Sequence, residues 1–195
     1  DILFDSWATR EIRDYYESWN TVINGSYFWY THMGMYYPAG LWIENGIEKS
    51  PMNMSDPNLS HIVFLSLGAL MIAPNEVWVH SLDGCYHTIW CRAFQAGPLV
   101  LSGNILQSFP DSWHASGPHE RTLIGKTESG KVYFIIFRKP RSLTEVADII
   151  VQDDRFTTDP ITLLNLDGWP STAYYDGKNG FRENEKLPII FRIKQ

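Results

Sequence analysis

Along the chain, apolar and polar positions change their period twice. Trp7, Ala8, Ile12, Tyr15, Tyr16 and Trp19 recur at helical spacing, with Arg10, Glu11, Arg13, Asp14 and Glu17 between them and Asp5 or Ser6 placed as N-cap; this predicts an amphipathic opening helix within residues 1–20. After "TVINGSYF" short β-prone runs alternate with turn dipeptides. "LWIENGIEK" turns at Asn45-Gly46, "VWVHSLDGCYHTIW" at Asp83-Gly84, "LVLSGNIL" at Ser102-Gly103-Asn104, and "RTLIGKTESGKVYFIIF" around Glu128 to Lys131, so hairpins dominate the middle of the chain. Ser142 and Glu145 form a capping-box pattern ahead of Val146, Ile149 and Ile150, which opens a second helix. Strands "ITLLNLD", "AYY" and "LPIIFRI" follow, and "DGKNGFRENEK" reads as a polar loop. The expectation is an α+β fold: a mixed, mostly antiparallel sheet with flanking helices in a single domain over 1–195.

Composition narrows the function classes. A formal charge of −6, from 16 Lys and Arg against 22 Asp and Glu, argues against a nucleic-acid polymer as partner, because such binding needs a concentrated basic surface. The longest apolar run, Ile62 to Ala73, is interrupted by Ser66 and Gly68 and is shorter than the roughly 20 residues of a membrane span. On one extended strand Cys85 and Cys91 would lie about 20 Å apart, too far to bond, so no disulfide framework is expected and the redox compartment stays open. The chain opens on Asp1 without Met, as after removal of a leader or tag. Eight Trp, ten Tyr and ten Phe supply either core or a platform for sugar rings.

Candidate chemistry concentrates at "ITLLNLDGWPST". Strand alternation puts Asn165 and Asp167 on one face at the end of an apolar run. Gly168 permits a sharp corner, and Ser171 and Thr172 bring hydroxyls and main-chain N–H groups beyond it. Turn capping by Asp167 and simple turn roles for Ser171 and Thr172 are the plain alternatives. Six histidines occur without HxH or HExxH spacing, which leaves a His-built zinc site unsupported.

The order of "VINGSYF" (Val22 to Phe28), "PAGLWIENG", "FQAGPLVLSG", "RTLIGKTESGKVYFIIF", "SLTEVADII" and "LLNLDGWPST" resembles the phosphodiester glycosidase family, over about Val22 to Tyr175. The resemblance implies hydrolysis of a sugar-1-phosphodiester to free sugar and a phosphate monoester, on a small-molecule or glycan substrate. A phosphodiesterase cutting P–O and a non-catalytic glycan or nucleotide-sugar binding module are the alternatives. By the resemblance Asp167 is the catalytic carboxylate, Asn165 orients it or the substrate, and Glu145 is a second acid/base. Arg121 is the phosphate clamp, since a guanidinium pairs bidentately with phosphate. Asn24 and Gly25 form a second edge of the cleft, with Gly168, Ser171 and Thr172 on the phosphate. Each has a structural alternative: a type I′ turn at Asn24-Gly25, a strand-edge surface position for Arg121, a helix cap for Glu145. Trp169 stands where the family usually has a second Gly, so the rim is reshaped for stacking or for another substrate, or activity is lost. A divalent cation, Mg or Ca, on Asp167 and the phosphate is compatible with this chemistry, and precedent leans toward an extracytoplasmic location.

Overall fold

The computed structural model describes residues 2–4, 8, 10–16, 20–31, 33–56, 58–66, 69–74, 91–109, 113–182 and 184–194. In chain order the elements are β1 (Ile2–Phe4), a 3-10 helix (Ile12–Tyr15), β2 (Asn20–Asn24), β3 (Phe28–Tyr30), β4 (Tyr36–Pro38), β5 (Trp42–Glu44), β6 (Ile47–Ser50), β7 (His61–Ser66) and β8 (Ala69–Pro74). After these come β9 (Arg92–Ala96), β10 (Leu99–Ser102), β11 (Ile105–Leu106), α1 (Trp113–Ser116), β12 (His119–Thr127), β13 (Val132–Arg141), α2 (Leu143–Val151), α3 (Asp154–Thr157), β14 (Ile161–Asn165), β15 (Tyr174–Tyr175), β16 (Gly180–Phe181) and β17 (Ile189–Lys194).

Three five-stranded sheets and one hairpin carry the fold. Their orders are β1-β17-β2-β15-β16, β6-β5-β9-β7-β8 and β11-β10-β14-β12-β13, with β3-β4 separate. Every strand pair among the described residues is antiparallel. The molecule is therefore richer in β-structure than an α+β fold with flanking helices, and the expected mixing of strand directions is not seen. Hairpins form where the turn chemistry placed them: Asn45 and Gly46 both take positive φ between β5 and β6, and Gly103 and Asn104 do so between β10 and β11, as a primed two-residue turn requires. The Asp83-Gly84 turn lies outside the described residues.

Alternation along β14 separates two cores. Leu164, with Leu166 just beyond the strand, joins a central core with Ile23, Trp42, Val63, Phe94, Ile124 and Phe191, drawn from all three large sheets. Ile161 and Leu163 face the opposite way and pack with Leu143, Val146, Ala147, Ile150 and Phe156 of the helices. Helix α2 begins with the expected capping box, Ser142 Oγ accepting from the Glu145 N–H at 3.2 Å and Glu145 Oε2 accepting from the Ser142 N–H at 2.8 Å.

Two expectations fail. Among its described residues the opening segment gives a strand and one short 3-10 helix instead of a continuous amphipathic helix; Ile12 and Tyr15 are buried against Val22, Ala173 and Ile190, so tertiary packing overrides the local helical period. Cys91 is disulfide-bonded and no described cysteine is free. It sits just ahead of β9, which starts at Arg92, so the premise of one extended strand running through Cys91 does not hold.

Candidate active site

The corner after β14 is built on main-chain hydrogen bonds. Asp167 N–H donates to Gly25 O (3.2 Å), Trp169 N–H to Glu120 O (3.1 Å), and Ser171 and Thr172 N–H both to Gly168 O (2.6 and 3.1 Å). A Cβ on Gly168 would stand 2.6 Å from Glu120 O, so the corner packs against β12 only without a side chain there. Arg182 holds the far side, donating to Pro170 O at 2.8 Å and to the Glu120 carboxylate at 3.2 Å.

Asn24, at the end of β2, is the fastener. Its Nδ2 donates to Asp167 O (2.7 Å), and its Oδ1 accepts from Thr122 Oγ1 (2.7 Å) and Ala173 N–H (3.1 Å). It is 1% exposed, so its polar capacity goes into joining β2, β12 and the corner. Gly25 beside it carries no positive φ, which removes the type I′ reading; a Cβ there would sit 2.1 Å from Ile189 Cγ2. Both residues are scaffold around Asp167. Asn24→Ala leaves three polar partners, Asp167 O, Thr122 Oγ1 and Ala173 N–H, without their side-chain hydrogen bond, and we expect it to cost about 2–4 kcal/mol in urea unfolding.

A cavity of about 370 Å³ opens at this corner. Asp167, Ser171, Trp169 and Pro170 line one side; Tyr27, Phe28 and Trp29 another; Asp56, Asn58 and Leu59 close it. Asp167 is partly buried at its wall, and desolvation pushes its carboxyl up to about 7 against the opposing pull of hydrogen bonds from the Ser171 hydroxyl and Gly168 N–H. Removal of a carboxylate from water disfavours its charged form, and here the two donors compensate only in part.

Tyr27 links Asp167 to Asn165. Asn165 Nδ2 donates to Tyr27 Oη (2.5 Å), to Leu166 O (2.8 Å) and to Gly97 O (3.3 Å), while Tyr27 Oη donates to Gly97 O at 2.8 Å. Burial first, then the Asp167 charge, hold the Tyr27 hydroxyl far above its usual titration range, with Arg121 acting in the opposite direction. It is a neutral phenol at any working pH. Asn165 Oδ1 and Thr172 Oγ1 are buried without a hydrogen-bond partner; such atoms call for a water or a ligand hydroxyl.

Arg121 departs from its expected place. It is 2% exposed, and its guanidinium donates to the carbonyls of Arg141 (2.9 Å), Gly117 (2.7 Å) and Ala115 (3.5 Å). It is neither a surface arginine nor among the residues lining the cavity; it acts on the site through its field at Tyr27. Glu145 is likewise absent from the cavity wall. Its carboxylate belongs to the helix cap, whose hydrogen bonds from Ser142 hold it below its ordinary range. Glu145→Ala should lower the melting temperature slightly and leave turnover unchanged.

The pair that sequence reasoning missed is Asp56 and Asn58. Asp56 Oδ1 accepts from Asn58 N–H (2.9 Å) and Asn58 Nδ2 (3.0 Å). Buried Gln95 places this loop: its Oε1 accepts from Leu41 N–H and Asn53 N–H, both at 2.7 Å, and its Nε2 donates to Asn53 O (3.0 Å) and Leu59 O (3.1 Å). Among the described residues no group of three or more His, Cys, Asp or Glu is arranged to hold a metal, and no helix is long and apolar enough to cross a membrane. His119 stacks on Trp169, ring centroids 6.3 Å apart and planes at 19°; the indole is 51% exposed at the cavity rim.

Comparison with known proteins agrees with the order of motifs. A crystal structure described as a hypothetical protein from Synechocystis is similar over the whole of this chain, with a TM-score of 0.57 and 11% identity; the chain spans 56% of that protein's length. That likeness is one of fold. No curated protein matches the sequence. The phosphodiester glycosidase profile matches residues 18–189, which takes in every element from β2 into the start of β17 and the whole cavity wall. The chain belongs to the phosphodiester glycosidase family.

Proposed function

We propose that the protein hydrolyses the glycosidic C1–O bond of a sugar-1-phosphodiester, with Asp167 as the catalytic carboxylate. The observation that carries this reading is the cavity itself, where a carboxyl titrating near 7 shares one wall system with a second carboxylate, Asp56, and with exposed aromatic faces. A base poised near neutrality is suited to take a proton from water. Water oxygen bonds to C1, the C1–O bond breaks, the electron pair leaves with the phosphate monoester, and the water proton passes to Asp167. Because phosphate leaves readily, strong acid assistance is unnecessary.

The other residues take supporting parts. Ser171 and the Gly168 N–H keep Asp167 oriented. Asn165 fixes Tyr27; neither it nor Thr172 is among the residues lining the cavity, and the unpartnered Asn165 Oδ1 and Thr172 Oγ1 suit a buried water behind the wall. Trp169 offers a stacking face at the rim, and the cavity remains open beside it, which favours an altered rim over a blocked one. Arg121 contributes positive potential from behind Tyr27. Asp56 and Asp167 are the carboxylates that would hold a divalent ion bound together with the phosphate. The disulfide at Cys91 suits an oxidising, extracytoplasmic compartment.

The test is incubation with N-acetylglucosamine-1-phosphodiesters and UDP-sugars, with products read by mass spectrometry. Free sugar and a phosphate monoester in equal amounts are expected. Intact substrates together with measurable binding would establish a binding module instead.

A further inference from the structure

The fold leaves one long sheet edge open. Strand β13 runs ten residues, Val132–Arg141, at the end of its sheet, and among the described residues it forms strand pairs with β12 alone. The other edge strands of the three large sheets, β1, β6, β8, β11 and β16, run only two to six residues. On an antiparallel edge every second residue turns its N–H and C=O outward, and a long edge of that kind is a template for another strand. Val132 to Phe137 reads VYFIIF, six apolar residues in a row, and none of them is fully buried. Phe134 and Ile136 lean on the central core, Tyr133, Ile135 and Phe137 on the helical one, each only in part, and Val132 is 43% exposed. The charges and Pro that commonly protect an edge fall only in the last four residues, Arg138 to Arg141. Phe134, Ile136 and Arg138 also line a groove of about 480 Å³ whose far wall is Ile23, Tyr174 and Ile193 of the β1-β17-β2-β15-β16 sheet.

We propose that this edge is the interface of a homodimer, in which β13 pairs antiparallel with β13 of a second copy about a two-fold axis. Charge selects that occupant. At the hairpin turn Lys131 is matched by Asp159 at 4.0 Å, while the exposed Glu128 makes no ion pair among the described residues. At the other end Arg138 and Lys139 are exposed and also make none there. Antiparallel self-pairing turns each acidic end toward the basic end of the second copy, and because the contact is isologous the attraction occurs twice. Each VYFIIF run then shields the main chain of the other and lengthens the apolar faces of both, as cross-strand neighbours do within a sheet. No residue of β13 lines the cavity that holds Asp167, so the dimer leaves that cavity open.

Sedimentation equilibrium at micromolar concentration, with amide hydrogen exchange on the same samples, tests the interface. The wild type should be a dimer, and its Val132 to Phe137 amides should exchange more slowly as protein concentration rises. Arg138→Glu combined with Lys139→Glu changes exposed side chains outside the catalytic cavity. It should raise the dimer Kd by about 10-fold, since each change acts twice across the two-fold. Adding Glu128→Lys to that variant should restore the wild-type Kd, and added salt should weaken the wild-type dimer. A wild type that stays monomeric would overturn the proposal. So would a dimer whose Kd ignores the charge changes, or one whose β13 amides exchange at a rate independent of concentration, because its contact would lie elsewhere.

Discussion

Asp167→Asn should lower kcat by about 10²- to 10⁴-fold, the range that a positioned acid or base contributes, with little change in KM. The amide keeps the shape of the carboxyl and can still accept from Ser171 or Gly168, but it cannot take a proton from water. The corner around it depends on main-chain bonds from Gly25, Glu120 and Gly168 and on Asn24, none of which involves the Asp167 side chain. Loss of turnover in a folded variant would therefore report chemistry. Steady-state kinetics with circular dichroism on the same samples would check this, and full activity in the variant would remove Asp167 from the mechanism.

The second large effect is on stability, and its sign is opposite. Burial raises the Asp167 carboxyl from 3.8 to about 7, so between those values the folded protein holds a proton that the unfolded chain releases. The stabilisation from this group is complete below about pH 4 and is lost as pH rises through about 7. About three pH units correspond to about 4 kcal/mol at most, and less here because Asp167 is only partly buried. At pH 8 Asp167→Asn should be more stable than the wild type by about 2–3 kcal/mol, while at pH 4 the two should coincide. Urea unfolding at the two pH values measures both. The same titration requires kcat of the wild type to rise with pH through about 7, since the base works only when ionised.

How much of this was legible in the sequence differs between backbone and side chains. Asn45-Gly46 and Ser142 with Glu145 could be read because the turn and the cap are satisfied within a few residues. Residues 161–165 could be read because alternation is a local property; the strand ends at Asn165 instead of running through Asp167, and of the two only Asp167 lines the cavity. The opening segment misled because Ile12 and Tyr15 are buried not only by nearby Val22 but by Ala173 and Ile190, more than 150 positions away. Arg121 was expected at the phosphate for its chemistry and by the family resemblance; its carbonyl partners, Ala115 in α1 and Gly117 just after it, are brought to it by a path no local pattern gives. Asp56 and Asn58 carried only the signal of a polar turn, "SDPN", and become wall residues because Gln95, some 40 positions later, pulls that loop onto the cavity. Tyr27 lay inside the quoted "INGSYF" and drew no attention, since nothing local marks a phenol as bonded to Asn165.

Hydrolysis of an N-acetylglucosamine-1-phosphodiester in H₂¹⁸O tests the central claim most directly. Attack at C1 puts the label in the released sugar and leaves the phosphate monoester unlabelled, as expected here; label in the phosphate would show P–O cleavage and contradict the account.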